Sequence, residues 1–278
     1  MQLHSIDTGY FKLDGGAMFG VVPKSLWTKF NPADNNNMCT WAMRCLLIEE
    51  GDRLILVDTG IGDKQSEKFF SYFYLHGENS LTSSLQDKGY SLDDVTDVIL
   101  THLHFDHCGG SIYRDKDGSL KPTFRNAKYW SHSRHWDWAM TPNNREKASF
   151  LKENFEPLLS TDQISFIDKE NIGLEFLDFI IAEGHTEAQL IPKISYKDKT
   201  LVYCADLMPS PYHIPLPYVM AYDIRPLVTL DEREVFLNNA FENNWTLMYE
   251  HDPKIECSTL IKTERGIRMG DVFSLSEF

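Results

Sequence analysis

The chain has 278 residues, 42% of them hydrophobic and 24% charged, a globular composition long enough to bury one large core. Forty-one acidic against 27 basic residues leave a formal charge of -14 with no basic stripe or tail, which argues against nucleic acid as a partner and for a small molecule. No stretch approaches the roughly 18 apolar residues of a membrane span, and MQLHSIDTGYFKLDGG lacks the charged start and apolar run of an export signal. The expectation is therefore a cytoplasmic protein with no membrane partner.

No repeat, low-complexity tract or Pro/Gly/Ser linker divides the chain, so residues 1–278 are expected to form one domain. In chain order, the segment Ala17 to Phe30 comes first. It is rich in large apolar side chains, among them Met18, Phe19, Trp27 and Phe30, and is expected to wall an apolar pocket or to form the contact of a homodimer. Met43–Ile48 and Leu54–Val57 flank the turn-like Glu50-Gly51-Asp52 and predict a β-hairpin. Leu81–Lys88 predicts a short helix and Val95–Thr101 a buried strand. Trp130, Trp136 and Trp138 gather around a helix-like stretch.

Further strands are expected at Ala127–Ser131, Ile164–Asp168, Leu174–Ala182, Gln189–Tyr196 and Thr200–Cys204, and a last one from Thr246 to Tyr249. Leu230–Asn243 predicts a helix with Val235, Phe236 and Ala240 on its inner face and Glu232, Arg233 and Asn239 towards the other. The five cysteines, Cys39, Cys45, Cys108, Cys204 and Cys257, are odd in number and scattered, which predicts reduced, buried thiols.

The chemistry concentrates in THLHFDHCGG, residues 101–110, where three histidines and an aspartate crowd six positions after Val-Ile-Leu. If the strand continues to His104, His102 and His104 point the same way, and the following turn aims Asp106 and His107 at a neighbouring point. Mixed imidazole and carboxylate donors suit zinc, iron, manganese or cobalt better than copper(I) or calcium. Four donors exceed what one open catalytic ion needs, which points to two. His185, Asp206 and His251 each follow an apolar run and share that placement at strand ends.

Taken together, THLHFDHCGG, EGHTEAQ, YCADLMPS and YEHDP resemble the successive ligand motifs of the metallo-β-lactamase-fold hydrolases, in order and in interval. The similarity runs from Leu56-Val57-Asp58-Thr59-Gly60 to His251. It is strongest to the lactonase-like branch, which includes the N-acyl homoserine lactone lactonases and methyl parathion hydrolases.

The resemblance implies an α+β αββα sandwich, two mixed sheets face to face with helices outside. It also implies a dinuclear site for two divalent metal ions, zinc being the expected metal and iron, manganese or cobalt the alternatives, with His102, His104 and His185 on the first ion and Asp106, His107 and His251 on the second. Asp206 would bridge them and Asp58 would orient a ligand. Two ions sharing a water would generate a hydroxide to attack a carbonyl or phosphoryl centre, with Asp106 and Asp206 as the catalytic carboxylates. The expected substrate is a lactone or ester of a small apolar molecule, with phosphotriesters and thioesters as alternatives. A diiron redox enzyme or a non-catalytic metal-binding protein are the readings from other classes. One departure stands out: the lactonases place a tyrosine three residues after the bridging aspartate, where this chain has Pro209. His213, Tyr218 and Tyr222 are the nearby candidates to replace it.

Overall fold

Apolar runs become strands here, and the points at which they stop set the position of every candidate ligand. The computed structural model describes residues 1–278. Its first strands are β1 (Gln2–Asp14), β2 (Met38–Glu50), β3 (Arg53–Val57), β4 (Asp97–Ile99), β5 (Ile112–Arg114), β6 (Leu120–Pro122), β7 (Lys128–Ser131) and β8 (Ile164–Phe166). Between them lie helices α1 (Gly15–Phe19), α2 (Lys24–Trp27), α3 (Glu67–Ser71), α4 (Leu81–Asp87), α5 (Phe105–Cys108), α6 (Ser133–Met140) and α7 (Pro157–Ser160). The remainder holds β9 (Leu177–Ala182), β10 (Gln189–Tyr196), β11 (Lys199–Tyr203), helix α8 (Pro226–Glu242), β12 (Thr246–Met248), β13 (Cys257–Thr263) and β14 (Gly266–Phe273). One six-stranded sheet has the order β1-β2-β3-β4-β7-β8, a second has β14-β13-β12-β11-β10-β9, and β5-β6 form a small ribbon.

The chain divides into two compact units, the first comprising residues 1–9 and 43–173, the second residues 10–42 and 174–278. In the first unit β2 and β3 form the expected hairpin, pairing antiparallel from Leu46 opposite Val57 to Glu50 opposite Arg53, with Gly51 at φ +61° in the turn. From β3 onward the sheet is parallel, β3 to β4, β4 to β7 and β7 to β8. Asp97, 2% exposed, ties three of these strands together. It accepts two hydrogen bonds of 2.6 Å from the Arg53 guanidinium and one of 2.8 Å from the Trp130 indole N–H. A buried carboxylate is tolerated because it is paired and hydrogen-bonded on both oxygens. The core of this unit gathers Ile6, Leu47, Leu56, Val98, Leu100, Phe124, Tyr129 and Trp136. Helix α4 starts on a capping box in which Ser80 and Ser83 exchange side-chain to backbone hydrogen bonds.

In the second unit β9 and β11 both pair antiparallel with β10, so they run the same way, and β12 pairs parallel with β11. Three strands therefore finish at the same edge of this sheet. Leu190, Ile194, Leu201, Val202, Leu247 and Met248 fill the strands with buried apolar side chains. Ring stacking organises the apolar N-terminal segment: Phe19 lies 5.4 Å from Trp27 and 4.8 Å from the His213 ring, nearly parallel to each.

Several expectations need correction. The strand predicted over Val95–Thr101 stops at Ile99, because Leu100 to His104 turn into α5 instead of continuing extended. The long strand β1 lies outside the expected strands, because its interior is mostly half-buried and apolar and polar residues mix on both faces. Helix α8 covers the expected segment but begins earlier, at Pro226; Phe236 and Ala240 are buried as expected, whereas Val235 is 62% exposed and Arg233 is wholly buried beside them. All five cysteines are free and buried, as expected. In the N-terminal segment Met18, Phe19, Val22 and Trp27 are buried, but Val21 and Leu26 are exposed. No helix is long and apolar enough to cross a membrane.

Candidate metal centre

Parallel strands deliver their C-terminal ends to one sheet edge, where functional groups of open sheets gather. In the first unit β3 ends into Asp58 and β4 into the segment carrying His102, His104, Asp106 and His107. Asp58 takes a positive φ of 60°, a costly backbone state for a non-glycine residue that persists only where surroundings fix it. Its carboxylate accepts from the Thr101 amide at 2.8 Å and the Thr101 hydroxyl at 2.7 Å, and it lies 3.1 Å from His107 Nδ1. A carboxylate can only accept, so the His107 proton sits on Nδ1 and the lone pair on Nε2. The Thr101 hydroxyl spends its one hydrogen on Asp58, so at 3.1 Å it accepts from His102 Nδ1, which fixes the same tautomer.

The rings of this first cluster are close and buried. His102 lies 4.5 Å from His104 and 3.9 Å from His107 between centroids, although the strand ends before them. The Asp106 carboxylate is 3.8 Å from His107 Nε2. The loop after β3 braces the cluster from behind. The Thr59 amide and hydroxyl both donate to the His107 carbonyl, and Lys64 Nζ donates to the Gly109 carbonyl. Gly109 is required there, since an added Cβ would meet the Ile61 carbonyl oxygen at 2.1 Å. Burial pushes the Lys64 ammonium down to about 8 and the Cys108 thiol up to about 12; that thiol donates to the Leu103 carbonyl at 3.3 Å and packs within the apolar core of this unit.

In the second unit β9, β11 and β12 end shortly before His185, Asp206 and His251. One Asp206 oxygen stands 3.1 Å from His185 Nε2 and the other 3.0 Å from His251 Nε2. The carboxylate thus spans two imidazoles, one oxygen to each. Behind them, His185 Nδ1 donates to Asp223 at 2.9 Å and His251 Nδ1 to the Ala42 carbonyl at 2.7 Å. Ala205, just before the carboxylate, has φ +42°, a second strained backbone position beside a candidate ligand. Burial alone would lower the His185 pKa, but the Asp206 and Asp223 carboxylates outweigh it and raise it to about 10. Without metal, the ring is an imidazolium whose second proton lies towards Asp206.

His102, His107, His185 and His251 therefore share one arrangement: Nδ1 is held by a protein acceptor, and Nε2 is the ring nitrogen away from that brace. This is how metal-binding histidines are oriented by their outer partners. With the carboxylates of Asp106 and Asp206, 7% exposed each, the donor set fits divalent ions of the zinc, iron, manganese or cobalt kind.

Sequence reasoning missed several supporting residues. Glu146, 3% exposed, has an oxygen 3.6 Å from His104 Nε2 and accepts from the Trp138 indole at 2.8 Å. His135 accepts the Leu103 amide on Nε2 at 2.8 Å. Asp223 is wholly enclosed against His185. None follows a motif, and only the fold brings them near. Of the three candidates to replace the tyrosine at Pro209, His213 is excluded as a free donor. Ser210 holds its Nδ1 and the Met18 carbonyl its Nε2, at 2.8 and 2.9 Å, and burial with the nearby Arg233 guanidinium drives its pKa down to about 3. Tyr222 is 39% exposed, and Tyr218 lies edge-on to Phe19 at 6.2 Å.

The sequence model of the metallo-beta-lactamase superfamily matches residues 44–241. The chain belongs to this superfamily. Within it, a probable metallo-hydrolase of Mycobacterium tuberculosis is 24% identical over 242 residues, covering 76% of this chain and 74% of that protein. An N-acyl homoserine lactonase of Bacillus thuringiensis is 32% identical over 97 residues, 31% of this chain, and the match spans only 38% of that lactonase. Among solved structures, a probable metal-dependent hydrolase from Staphylococcus aureus superposes with TM-score 0.87 at 26% identity over 98% of this chain and 96% of that one. A dizinc quorum-quenching lactonase bound to a homoserine product gives TM-score 0.78 at 22% identity over 98% and 95%, a likeness of fold. The two mixed six-stranded sheets with their helices are thus the metallo-β-lactamase fold.

Proposed function

We propose that this protein is a metal-dependent hydrolase whose two clusters serve one dinuclear site. His102, His104 and His185 hold one divalent ion, Asp106, His107 and His251 hold the other, and Asp206 bridges them. The observation that carries the reading is the split Asp206 carboxylate, one oxygen facing His185 and the other His251, with each ring braced on its far nitrogen. That arrangement suits a carboxylate shared by two ions. It is hard to explain as packing, because a buried imidazole and carboxylate cluster is costly without a ligand.

Ions bound there would supply Lewis-acid polarisation of the substrate oxygen and a water acidified to near neutral pH. The chain's own residues hold the donors still. Asp58 and Thr101 fix His107 and His102, Asp223 fixes His185, and of the two catalytic carboxylates Asp206 would hold the ions together while Asp106 would be the one to take up or return a proton. The substrate we propose is a lactone or ester of a small apolar molecule. Support comes from the lactonases among the relatives.

The test is ring opening of a long-chain N-acyl homoserine lactone, followed with a pH indicator, in metal-loaded and chelator-stripped protein. Turnover that disappears on stripping and returns with metal supports the lactonase reading. No turnover on the lactone by fully loaded protein rejects that substrate and turns the assay to aryl esters, phosphotriesters and thioesters; failure to bind any metal rejects the dinuclear reading.

A further inference from the structure

Away from both metal clusters, the second unit holds a cavity of about 490 Å³ between the segment around residues 214–217, helix α8 and the β13–β14 hairpin. Its floor is apolar: Ile214 and Leu237 are 1% and 3% exposed, and Leu216 and Ile267 complete it. Its rim is cationic. Lys262 on β13, Arg268 on β14 and Arg265 in the turn between them all line its mouth.

None of these three cations forms an ion pair, in a chain with 41 acidic and 27 basic residues where Arg53, Lys128, Lys193 and Arg225 each hold a carboxylate. Glu234 is the one acidic group lining the cavity, and it pairs with none of them. Unpaired positive charge over an apolar floor favours an occupant with the complementary shape, an anionic head on an apolar tail.

We propose that this cavity binds a medium-chain fatty carboxylate, its head between Lys262, Arg265 and Arg268 and its chain on Ile214, Leu237 and Ile267. The proposal does not depend on the metal reading. The cavity wall is continuous with the Asp206 segment through Arg233, one turn before Leu237. Wholly buried, Arg233 donates to the Leu207 and Tyr218 carbonyls at 2.7 Å each. An occupant would therefore steady residues 207–218.

The experiment is calorimetric titration of the full chain with decanoate below its micelle concentration, with metals bound and after chelation. Decanol and the Lys262→Glu/Arg265→Glu variant serve as comparisons. Both substituted side chains are exposed, so the variant keeps its fold, which its melting temperature checks. The expected result is a site that survives chelation, binds decanol at least about tenfold more weakly and loses about tenfold in affinity in the variant. Slower amide exchange over residues 207–218 on adding decanoate is expected alongside. Equal binding of decanol, or an unchanged variant, overturns the proposal. So does sedimentation with acidic phospholipid vesicles without binding of monomeric decanoate, which would make the cationic rim a membrane contact.

Discussion

Asp58 decides how two candidate ligands are presented. Its carboxylate fixes His107 directly and His102 through the Thr101 hydroxyl. Losing an outer partner of a metal-binding histidine typically costs 10- to 100-fold in metal affinity. Asp58→Ala should weaken metal binding by about that factor, measured by competition with a chromophoric chelator, while Asp52→Ala in the exposed hairpin turn leaves it unchanged. His185 carries a second prediction. Its pKa is raised from 6.5 to about 10 in the metal-free fold, so the imidazolium stabilises that fold fully below pH 6.5, and the gain fades as pH rises through about 10. A metal must displace that proton. Metal uptake at pH 7.5 should therefore release one proton more from the parent than from His185→Gln, read with a weakly buffered indicator dye; equal release would refute the assigned protonation.

At the scale of elements, strand ends and one buried arginine set the positions. Helix α8 was legible in the sequence as a run of the right length, but its inner face was not, because Arg233 reads as a surface residue until its carbonyl partners are known. Its guanidinium holds the turn after Asp206 to the helix, in the fully desolvated interior where hydrogen bonds to a charged group matter most. Arg233→Met should lower unfolding stability by roughly 3 kcal/mol, through carbonyls left without donors, whereas Glu234→Ala, one residue on and exposed, should change it by less than about 0.5 kcal/mol. Urea unfolding of the metal-free chain measures both. The strand after Val95 was also legible, but not its early stop at Ile99: the apolar run continues to Leu100 while the backbone turns, and turning brings His102 and His107 to 3.9 Å.

Across the whole molecule, the ligand candidates were legible because imidazoles and carboxylates cluster in one short segment and recur after three separate apolar runs. Their supports were not. Glu146, His135 and Asp223 are ordinary residues in sequence, and each gains its place only through a fold that buries it beside a candidate ligand histidine. The same limit applies to the residue that meets the substrate oxygen, since Pro209 breaks the lactonase pattern and His213 is committed elsewhere.

The most direct test of the account is a metal count by elemental analysis after reconstitution and desalting, for the parent and for Asp206→Ala. The parent should retain two divalent ions per chain and the variant one or none, because the shared carboxylate serves both. Retention of no more than one ion by the parent, or of two by Asp206→Ala, would contradict a dinuclear site bridged by Asp206.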